Sequence, residues 1–159
     1  MSQRYSTAGM RLYYVVESTA GTRPTSGLTK IPEVKSVPSF NPAPETIQST
    51  TLEETEYHTY VKGLKDLGGA LEFNANITAD LITAWESCCA AHDALTGGKV
   101  MWFYVIHDQL EKCVACEGDP SPMGLNESSV GGMLETSLYI TPSSAPTWVT
   151  KPTVTVNGG

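Results

Sequence analysis

Residues 69–108 read GALEFNANITADLITAWESCCAAHDALTGGKVMWFYVIHD and predict a strand, a helix and a second strand. Over residues 70–77, apolar and polar side chains alternate, which indicates a strand with one buried face and one wet face. Thr78 offers a hydroxyl as N-cap, and Asp80 lies in the first turn, where the helix dipole favours a carboxylate. Gly97-Gly98 is the predicted end of the helix, because glycine readily adopts the left-handed conformation found at helix C-termini.

The predicted helix carries one apolar stripe, and the strand that follows it, 99–107, is apolar on both faces. A helix with such a stripe packs against a sheet, and a strand of this kind is covered on both sides. We therefore assign both Trp85 and Trp102 to the core between helix and sheet. The other core residues predicted from the same patterns are Leu81, Leu95 and Phe73.

The remaining regular segments also favour β-structure. Residues 11–17 form a first strand, and residues 112–117 pair as a hairpin with the 99–107 strand. Residues 118–124 have the composition of a loop, and residues 132–140 alternate again. The predicted fold is mainly β with one α-helix, a β-sandwich or curved sheet with the helix packed at its side. The C-terminal arm, 141–159, adds at most one edge strand.

Composition limits the classes of function. The chain has 159 residues, enough for one domain with a substantial core, and a net charge of −7. This acidic balance argues against dedicated nucleic-acid binding, which needs a basic face. An apolar run of membrane-spanning length and a signal-peptide core are both missing from the sequence. Charged residues are 17% of the chain, below the roughly 25% of ordinary soluble domains. Nineteen threonines and fourteen serines supply neutral polar surface instead, which suits surfaces covered by neighbouring subunits.

The segment 18–67 has little regular pattern and contains five prolines. It offers short strand candidates near 31–37 and 55–61. A compact monomer seldom contains so long an irregular segment, whereas its tyrosines and leucines argue against disorder. We therefore interpret it as an extended loop region that lies on a neighbouring subunit. Residues 1–9 are interpreted as a flexible N-terminal arm.

The cysteines occur as Cys88-Cys89 and as Cys113-x-x-Cys116. The second pair fits a zinc or redox site, with His92 or His107 as a further ligand. Residues i and i+3 of a strand point to opposite faces, so the pair could chelate a metal only from a turn. The favoured interpretation is four reduced cysteines that act as small apolar residues, with metal or disulfide as the alternative.

Motifs of common enzyme and cofactor sites are missing from the sequence, including the nucleophile elbow, the zinc-protease helix, the dinucleotide fingerprint and the EF-hand loop. We therefore expect no enzyme activity, no cofactor and no metal. Gly97-Gly98-Lys99 is interpreted as a helix end rather than a phosphate loop. The acidic cluster of Glu53, Glu54 and Glu56 lacks the ligand rhythm of a calcium loop and indicates a solvated or interfacial face.

Residues 29–69 carry a family resemblance. The proline-rich run TKIPEVKSVPSFNPAPETIQSTTLE, followed by YHTYVKGLKDLGG, resembles the major tail tube protein of long-tailed, non-contractile phages and prophages of Gram-positive bacteria. The resemblance extends over residues 10–140, the expected tail tube domain. It implies a structural virion protein that polymerises as stacked hexameric rings, in which the sheets join into one β-barrel. The tube is then the conduit for DNA ejection.

The same resemblance implies partners and a location. The chain would contact copies of itself, the tape-measure protein, a tail terminator and a distal tail or baseplate hub protein. Genomic DNA would pass through without specific binding, and no membrane would be involved. The subunit would be assembled in the host bacterial cytoplasm and reside in the virion.

Two sets of residues are predicted for assembly. A lumen that passes DNA should avoid lysine and arginine, because DNA carries a negative charge about every 1.7 Å. We predict that the lumen is lined by Glu72, Asn74, Asn76, Glu135 and Ser137. The alternative is that these residues form the outer face of a sandwich. The contacts between rings or subunits are predicted to involve Glu53, Glu54, Glu56, Tyr57, Tyr60, Lys62 and Lys65.

Three alternatives stay open at this point. The first is a tube subunit of a phage-derived particle rather than of an infectious phage. The second is a non-enzymatic β-sandwich binding module, similar to an adhesin. The third is a zinc-dependent enzyme that uses Cys113, Cys116 and a histidine.

Overall fold

The computed structural model describes residues 4–6, 9–41, 44–48, 60–65, 69–126 and 130–152. Within these residues the fold is mainly β with a single α-helix, as the sequence predicts. The chain is divided into two compact units, each with most of its contacts within itself. One comprises Met1–Pro38 with Ala70–Gly159, and the other is Ser39–Gly69.

The elements follow one another in a simple order. The strands before the helix are β1 (Met10–Val16), β2 (Thr29–Ile31), β3 (Val34–Ser36), β4 (Pro44–Gln48), β5 (Tyr60–Lys65) and β6 (Leu71–Asn76). The helix is α1 (Ala79–Asp93), and the strands after it are β7 (Met101–His107), β8 (Lys112–Pro120), β9 (Glu135–Pro142) and β10 (Thr147–Thr150).

The first unit contains one sheet in the order β2-β1-β7-β8-β9-β6-β3, with β10 paired to β8 beside β9. All pairs are antiparallel. The two terminal strands of this order, β2 and β3, are separated in the chain by Pro32 and Glu33 only. Two residues span no more than a tight turn, so the edges of the sheet are held together and the sheet is a nearly closed barrel.

The turn between β2 and β3 has proline at its second position and a positive φ at its third, as a type II turn does, although glycine is the usual residue at that third position. That third residue is Glu33, whose φ is 65°. The carbonyl of Glu33 accepts a hydrogen bond from Asn76 N (3.1 Å), which ties the turn to the end of β6. The sequence indicates a single short strand near 31–37, and the structure instead has two strands that belong to opposite edges.

The helix begins as predicted and ends earlier than predicted. The Thr78 hydroxyl accepts a hydrogen bond from Leu81 N (3.1 Å), and Asp80 lies in the first turn. The helix ends at Asp93, with Ala94 as its C-cap. Gly97-Gly98 lies beyond the helix in the turn that leads to β7, where both glycines have positive φ.

The helix packs against the sheet through Leu81, Trp85 and Cys88, all buried. Trp85 Nε1 donates a hydrogen bond to Ser121 O (2.8 Å), just past the end of β8. Cys88 Sγ lies 3.6 Å from Met101 Sδ of β7. Buried side chains of β6 and β9 share one face of the sheet, because they are directly opposite in the register: Leu71, Phe73 and Ala75 face Ile140, Leu138 and Thr136.

A second buried cluster lies on the opposite face of β1, β7 and β8. It consists of Val15, Leu28, Tyr104, Ile106, Cys113 and Ala115, with Tyr13, Trp102 and Val149 packed against it. The assignment of Trp102 to the core between helix and sheet is therefore wrong. Neighbouring residues of a strand point to opposite faces, and Met101 is the one that contacts the helix. Leu95, also predicted in the core, is half-buried.

Glu17 follows the last residue of β1, and its carboxylate is buried. Its oxygens accept hydrogen bonds from Gly21 N (3.2 Å), Val100 N (3.1 Å) and Trp102 Nε1 (3.0 Å). Burial opposes ionisation, but these three donors outweigh it and lower the pKa of Glu17 below its ordinary value of 4.5. The carboxylate thereby joins the loop after β1 to the start of β7.

Two strands differ from their predicted bounds: β8 is longer than predicted, and β9 starts later. The predicted loop 118–124 begins inside β8, which continues to Pro120 because Gly118, Asp119 and Pro120 pair with β9. Gly118 permits this pairing, since a Cβ there would lie 2.7 Å from Ile140 Cγ2. The predicted 132–140 strand starts at Glu135. The edge strand of the C-terminal arm is β10.

The second unit contains the antiparallel pair β4–β5. Tyr60 pairs with Gln48, Lys62 with Thr46 and Lys65 with Pro44, with a register shift between Pro44 and Thr46. The sequence indicates little regular structure here, because prolines interrupt the pattern of alternation. It predicts a strand candidate at 55–61, of which only residues 60 and 61 are described, and these begin β5.

Replacing Trp85 with alanine should destabilise the fold by about 3–5 kcal/mol, because the change leaves a large cavity and removes the hydrogen bond to Ser121 O. The measurement is urea unfolding of dilute protein followed by circular dichroism. Trp148→Ala is the matched control, since Trp148 is exposed and should change the free energy of unfolding by less than about 1 kcal/mol. Equal losses in the two variants would contradict this description of the core.

Replacing Glu17 with glutamine should lower the free energy of unfolding by about 1–3 kcal/mol. Both carboxylate oxygens accept hydrogen bonds from N–H groups, and the amide NH₂ of glutamine would put a second donor in place of one of these acceptors. The pKa of Glu17 is lowered in the folded state, so its contribution is complete above pH 4.5 and is lost as the pH falls through the native value. Unfolding measured at pH 7 and at pH 3 should show a smaller difference between wild type and variant at the lower pH. Glu86→Gln on the exposed side of α1 is the control, and it should change the free energy of unfolding at pH 7 by less than about 1 kcal/mol.

Candidate functional site

The most distinctive polar surface is the face of β6 and β9 that points away from the core. Along β6, Glu72 is exposed and Asn74 and Asn76 are half-buried, in alternation with the buried core residues. In the register, Glu72 lies opposite Tyr139, Asn74 opposite Ser137 and Asn76 opposite Glu135. Strand pairing therefore brings together all five residues predicted to line a lumen. We call the side chains of Glu72, Asn74, Asn76, Glu135, Ser137 and Tyr139 the polar face.

Side-chain amides and hydroxyls connect the polar face across three strands. Asn74 Nδ2 donates to Ser36 Oγ of β3 (3.0 Å), and Ser137 Oγ donates to Asn74 Oδ1 (3.3 Å). Asn126 Nδ2, from the segment between β8 and β9, donates to Ser137 Oγ (3.1 Å). The sequence predicts Ser137 on a wet surface, and this needs correction. Ser137 lies on the polar face but is buried beneath its neighbours, with 8% of its surface exposed.

The polar face carries the charged residues Glu72 and Glu135, and Glu135 forms an ion pair. Lys35 of β3 forms an ion pair with Glu135, and both side chains are partly exposed. Tyr139 Oη donates a hydrogen bond to Glu72 Oε2 (2.8 Å), and this bond to a carboxylate raises the pKa of Tyr139. Sequence analysis missed Lys35, because β3 pairs with β6 across a long separation in the chain. The polar face thus carries two carboxylates and one neighbouring ammonium group.

The cysteines do not form a chelating pair. All four are free thiols, and Cys113 and Cys116 point to opposite faces of β8, as expected for positions i and i+3 of a strand. Burial raises the pKa of Cys113, and it raises that of Cys116 to about 11. Within the described ranges, no three side chains of histidine, cysteine, aspartate or glutamate come together as they would around a metal ion.

Two histidines have hydrogen-bonded structural positions. His92 is half-buried near the end of α1, with Nε2 2.8 Å from Asp119 Oδ1. His107 is buried at the end of β7, with Nε2 2.7 Å from Ser6 O, and its Nδ1 accepts a hydrogen bond from Gln109 N (3.1 Å). His58 lies outside the described residues.

The residues predicted for contacts between rings are described in part. Glu53, Glu54, Glu56 and Tyr57 lie outside the described residues. Tyr60, Lys62 and Lys65 belong to β5, the second strand of the β4–β5 hairpin. Their role in contacts stays a prediction.

A shallow groove of about 340 Å³ lies beside α1. Its lining includes Trp85, Glu86, Cys89, Asp93 and Met123. The groove combines two carboxylates with a thiol that contacts Ser121 O (3.8 Å) and whose pKa is raised by burial. This lining offers neither an activated nucleophile nor convergent hydrogen-bond donors, so the groove has little of the character of a substrate site.

The single helix among the described residues is too short and too polar to cross a membrane. No protein-family model and no curated protein matches the sequence. The fold, however, is similar to that of a chain in the cryo-EM structure of the anti-feeding prophage baseplate, which was symmetrised six-fold. The TM-score is 0.60 at 9% sequence identity, and the match covers 94% of this chain and 98% of the other. At this identity the similarity shows that the two chains share a fold, one that is mainly β with one helix.

Proposed function

We propose that this chain is a structural subunit of a phage particle or a phage-derived particle, and that it polymerises as stacked hexameric rings to form a tail tube. The observation that carries the proposal is the similarity of fold, almost from end to end, to a chain of a six-fold symmetrised prophage assembly. The resemblance of residues 10–140 to tail tube proteins of non-contractile phages supports the same function independently. The proposed role is structural and not enzymatic.

In this proposal the polar face lines the lumen. Its exposed side chains, such as Glu72 and Tyr139, would be wetted by the channel, and the neighbouring Lys35 is paired with Glu135. Unpaired lysines or arginines would each add an attractive contact for every passing phosphate and would retard the genome. Glu72 instead repels phosphate and is held in place by Tyr139. DNA would pass without specific binding, and the tape-measure protein would occupy the same channel before ejection.

The β4–β5 hairpin is the proposed contact between rings. It belongs to a compact unit of its own, residues 39–69, of which the described residues contain one antiparallel pair. A two-stranded hairpin is marginally stable in water unless it packs on another surface. A neighbouring subunit would supply that surface, and the acidic residues Glu53, Glu54 and Glu56 would meet Lys62 and Lys65 of another copy.

The proposed partners are copies of this chain, the tape-measure protein, a tail terminator and a distal tail or baseplate hub protein. Assembly would take place in the cytoplasm of the host bacterium, and the product would be part of the virion. Tube formation distinguishes this function from that of a β-sandwich binding module, which needs no polymer.

Purified protein at high concentration should give rings or hollow filaments in negative-stain electron micrographs. The double variant Lys62→Glu/Lys65→Glu should lower the yield of filaments at least about tenfold, because it replaces attraction by repulsion between rings. Lys30→Glu/Lys99→Glu, which changes the net charge equally within the first unit, is the control and should assemble. Monodisperse wild-type monomers at high concentration would contradict the proposed function.

Replacing Glu72 and Asn74 with lysine should convert the lumen into a DNA-binding channel. Assembled tubes of this variant should retain a short labelled duplex at low salt and release it as salt rises, whereas wild-type tubes should not bind it. Thr83→Lys on the exposed side of α1, combined with Glu86→Gln, is a control with added positive charge outside the polar face. Equal DNA binding by the variant and this control would contradict the assignment of the lumen.

A further inference from the structure

Exposed large apolar side chains are concentrated in the segment between β8 and β9. Leu125, Val130, Met133 and Leu134 are all exposed, and Val130 and Met133 reach 106% and 72% exposure. Scattered apolar residues are normal on a surface, but several within ten residues of chain indicate a contact site. We call Val130, Met133 and Leu134 the apolar tip.

The apolar tip is held in place at its base. Thr136 Oγ1 donates to Gly124 O (2.6 Å), and Asn126 Nδ2 donates to Ser137 Oγ (3.1 Å). On the other side, Ile77 N donates to Leu134 O (2.9 Å). These bonds connect both ends of the segment to the sheet. The residues on both sides of the apolar tip are thus attached to the sheet, while Met133 and Leu134 keep exposed side chains. This attachment lowers the entropy cost of a later contact.

A second exposed apolar surface lies at the other end of β8. Trp148 of β10 is 65% exposed and pairs with Val114 near the start of β8. The apolar tip follows the end of the same strand, and the six residue steps from Val114 to Pro120 already span about 20 Å. The two surfaces therefore cannot meet within one copy. A contact between them would join two copies head to tail, an arrangement that gives a ring where the rotation between copies closes.

Charge favours the same pairing. Each copy has a net charge of −7, so most contacts between copies bring like charges together. Residues 130–134, Val-Gly-Gly-Met-Leu, and residues 147–150, Thr-Trp-Val-Thr, carry no charge. A contact between these segments buries apolar surface without desolvating a carboxylate.

We infer that the apolar tip docks on the surface around Trp148 of a second copy of this chain, and that this head-to-tail contact joins neighbouring subunits. The inference rests on the proposed function, because it assumes that copies of this chain assemble with one another. It adds the surfaces that meet and the direction of the contact.

The test places a photo-reactive benzoylphenylalanine at position 133 in the full chain. Equal amounts of this protein with ¹⁴N and of wild type with ¹⁵N are mixed, assembled and irradiated, and cross-linked peptides are identified by mass spectrometry. The expected result is a mixed-isotope cross-link from position 133 to the peptide that contains Trp148. Assemblies cross-linked at another segment, or not cross-linked at all, would overturn the inference and leave the proposed function standing. Absence of any assembly would overturn both.

A second measurement uses unmodified side chains. Met133→Glu should raise the protein concentration needed for assembly about tenfold or more, because it places a charge in an apolar contact. Thr83→Glu adds the same charge to the exposed side of α1 and should leave that concentration unchanged. The fluorescence of Trp148, isolated as the difference between wild type and Trp148→Phe, should shift to shorter wavelength on assembly. Unchanged assembly of Met133→Glu together with an unshifted Trp148 would overturn the inference.

Discussion

The structure of the first unit depends on the double pairing of β8. Its first half lies between β7 and β10, and its second half pairs with β9. One strand of nine residues therefore belongs to both parts of the curved sheet and sets the angle between them. Gly118 lies where the partner changes, and the absence of a side chain there lets Ile140 and Phe103 approach the same point. The core on the helix side and the position of the polar face both follow from this shared strand.

Much of this arrangement can be predicted from local patterns. The alternation of β6, the cap at Thr78 and the apolar residues of β7 are local signals, and the corresponding elements form where the patterns indicate. The five residues predicted for the lumen also come together, because the same alternation governs both β6 and β9. Ser137 differs in being buried, since its cover, Asn126, comes from a segment that the pattern of β9 does not include.

Other features depend on pairing between distant residues and leave little trace in local sequence. The local sequence around Trp102 does not show which face of the sheet its side chain lies on. Met101 contacts Cys88 of the helix, so Trp102 lies on the opposite face. Lys35 reaches the polar face through the β3–β6 pair, and its partner Glu135 lies 100 residues away. The buried carboxylate of Glu17 likewise depends on donors from residues 100 and 102. Prolines interrupt the alternation of apolar and polar residues around β2, β3 and β4. The local sequence therefore indicates one short strand near 31–37 where the structure has β2 and β3, and it does not indicate β4.

The two-residue connection between β2 and β3 has a consequence for the evolution of this fold. Strands that are adjacent in the chain take the outermost places of the sheet, so a length change at Pro32–Glu33 alters the circumference directly. Other surface turns can grow or shrink without changing the distance between the edges. Relatives whose barrel is more open or more tightly closed would be expected to differ first at this turn, because an inserted residue there changes the distance between the two edge strands.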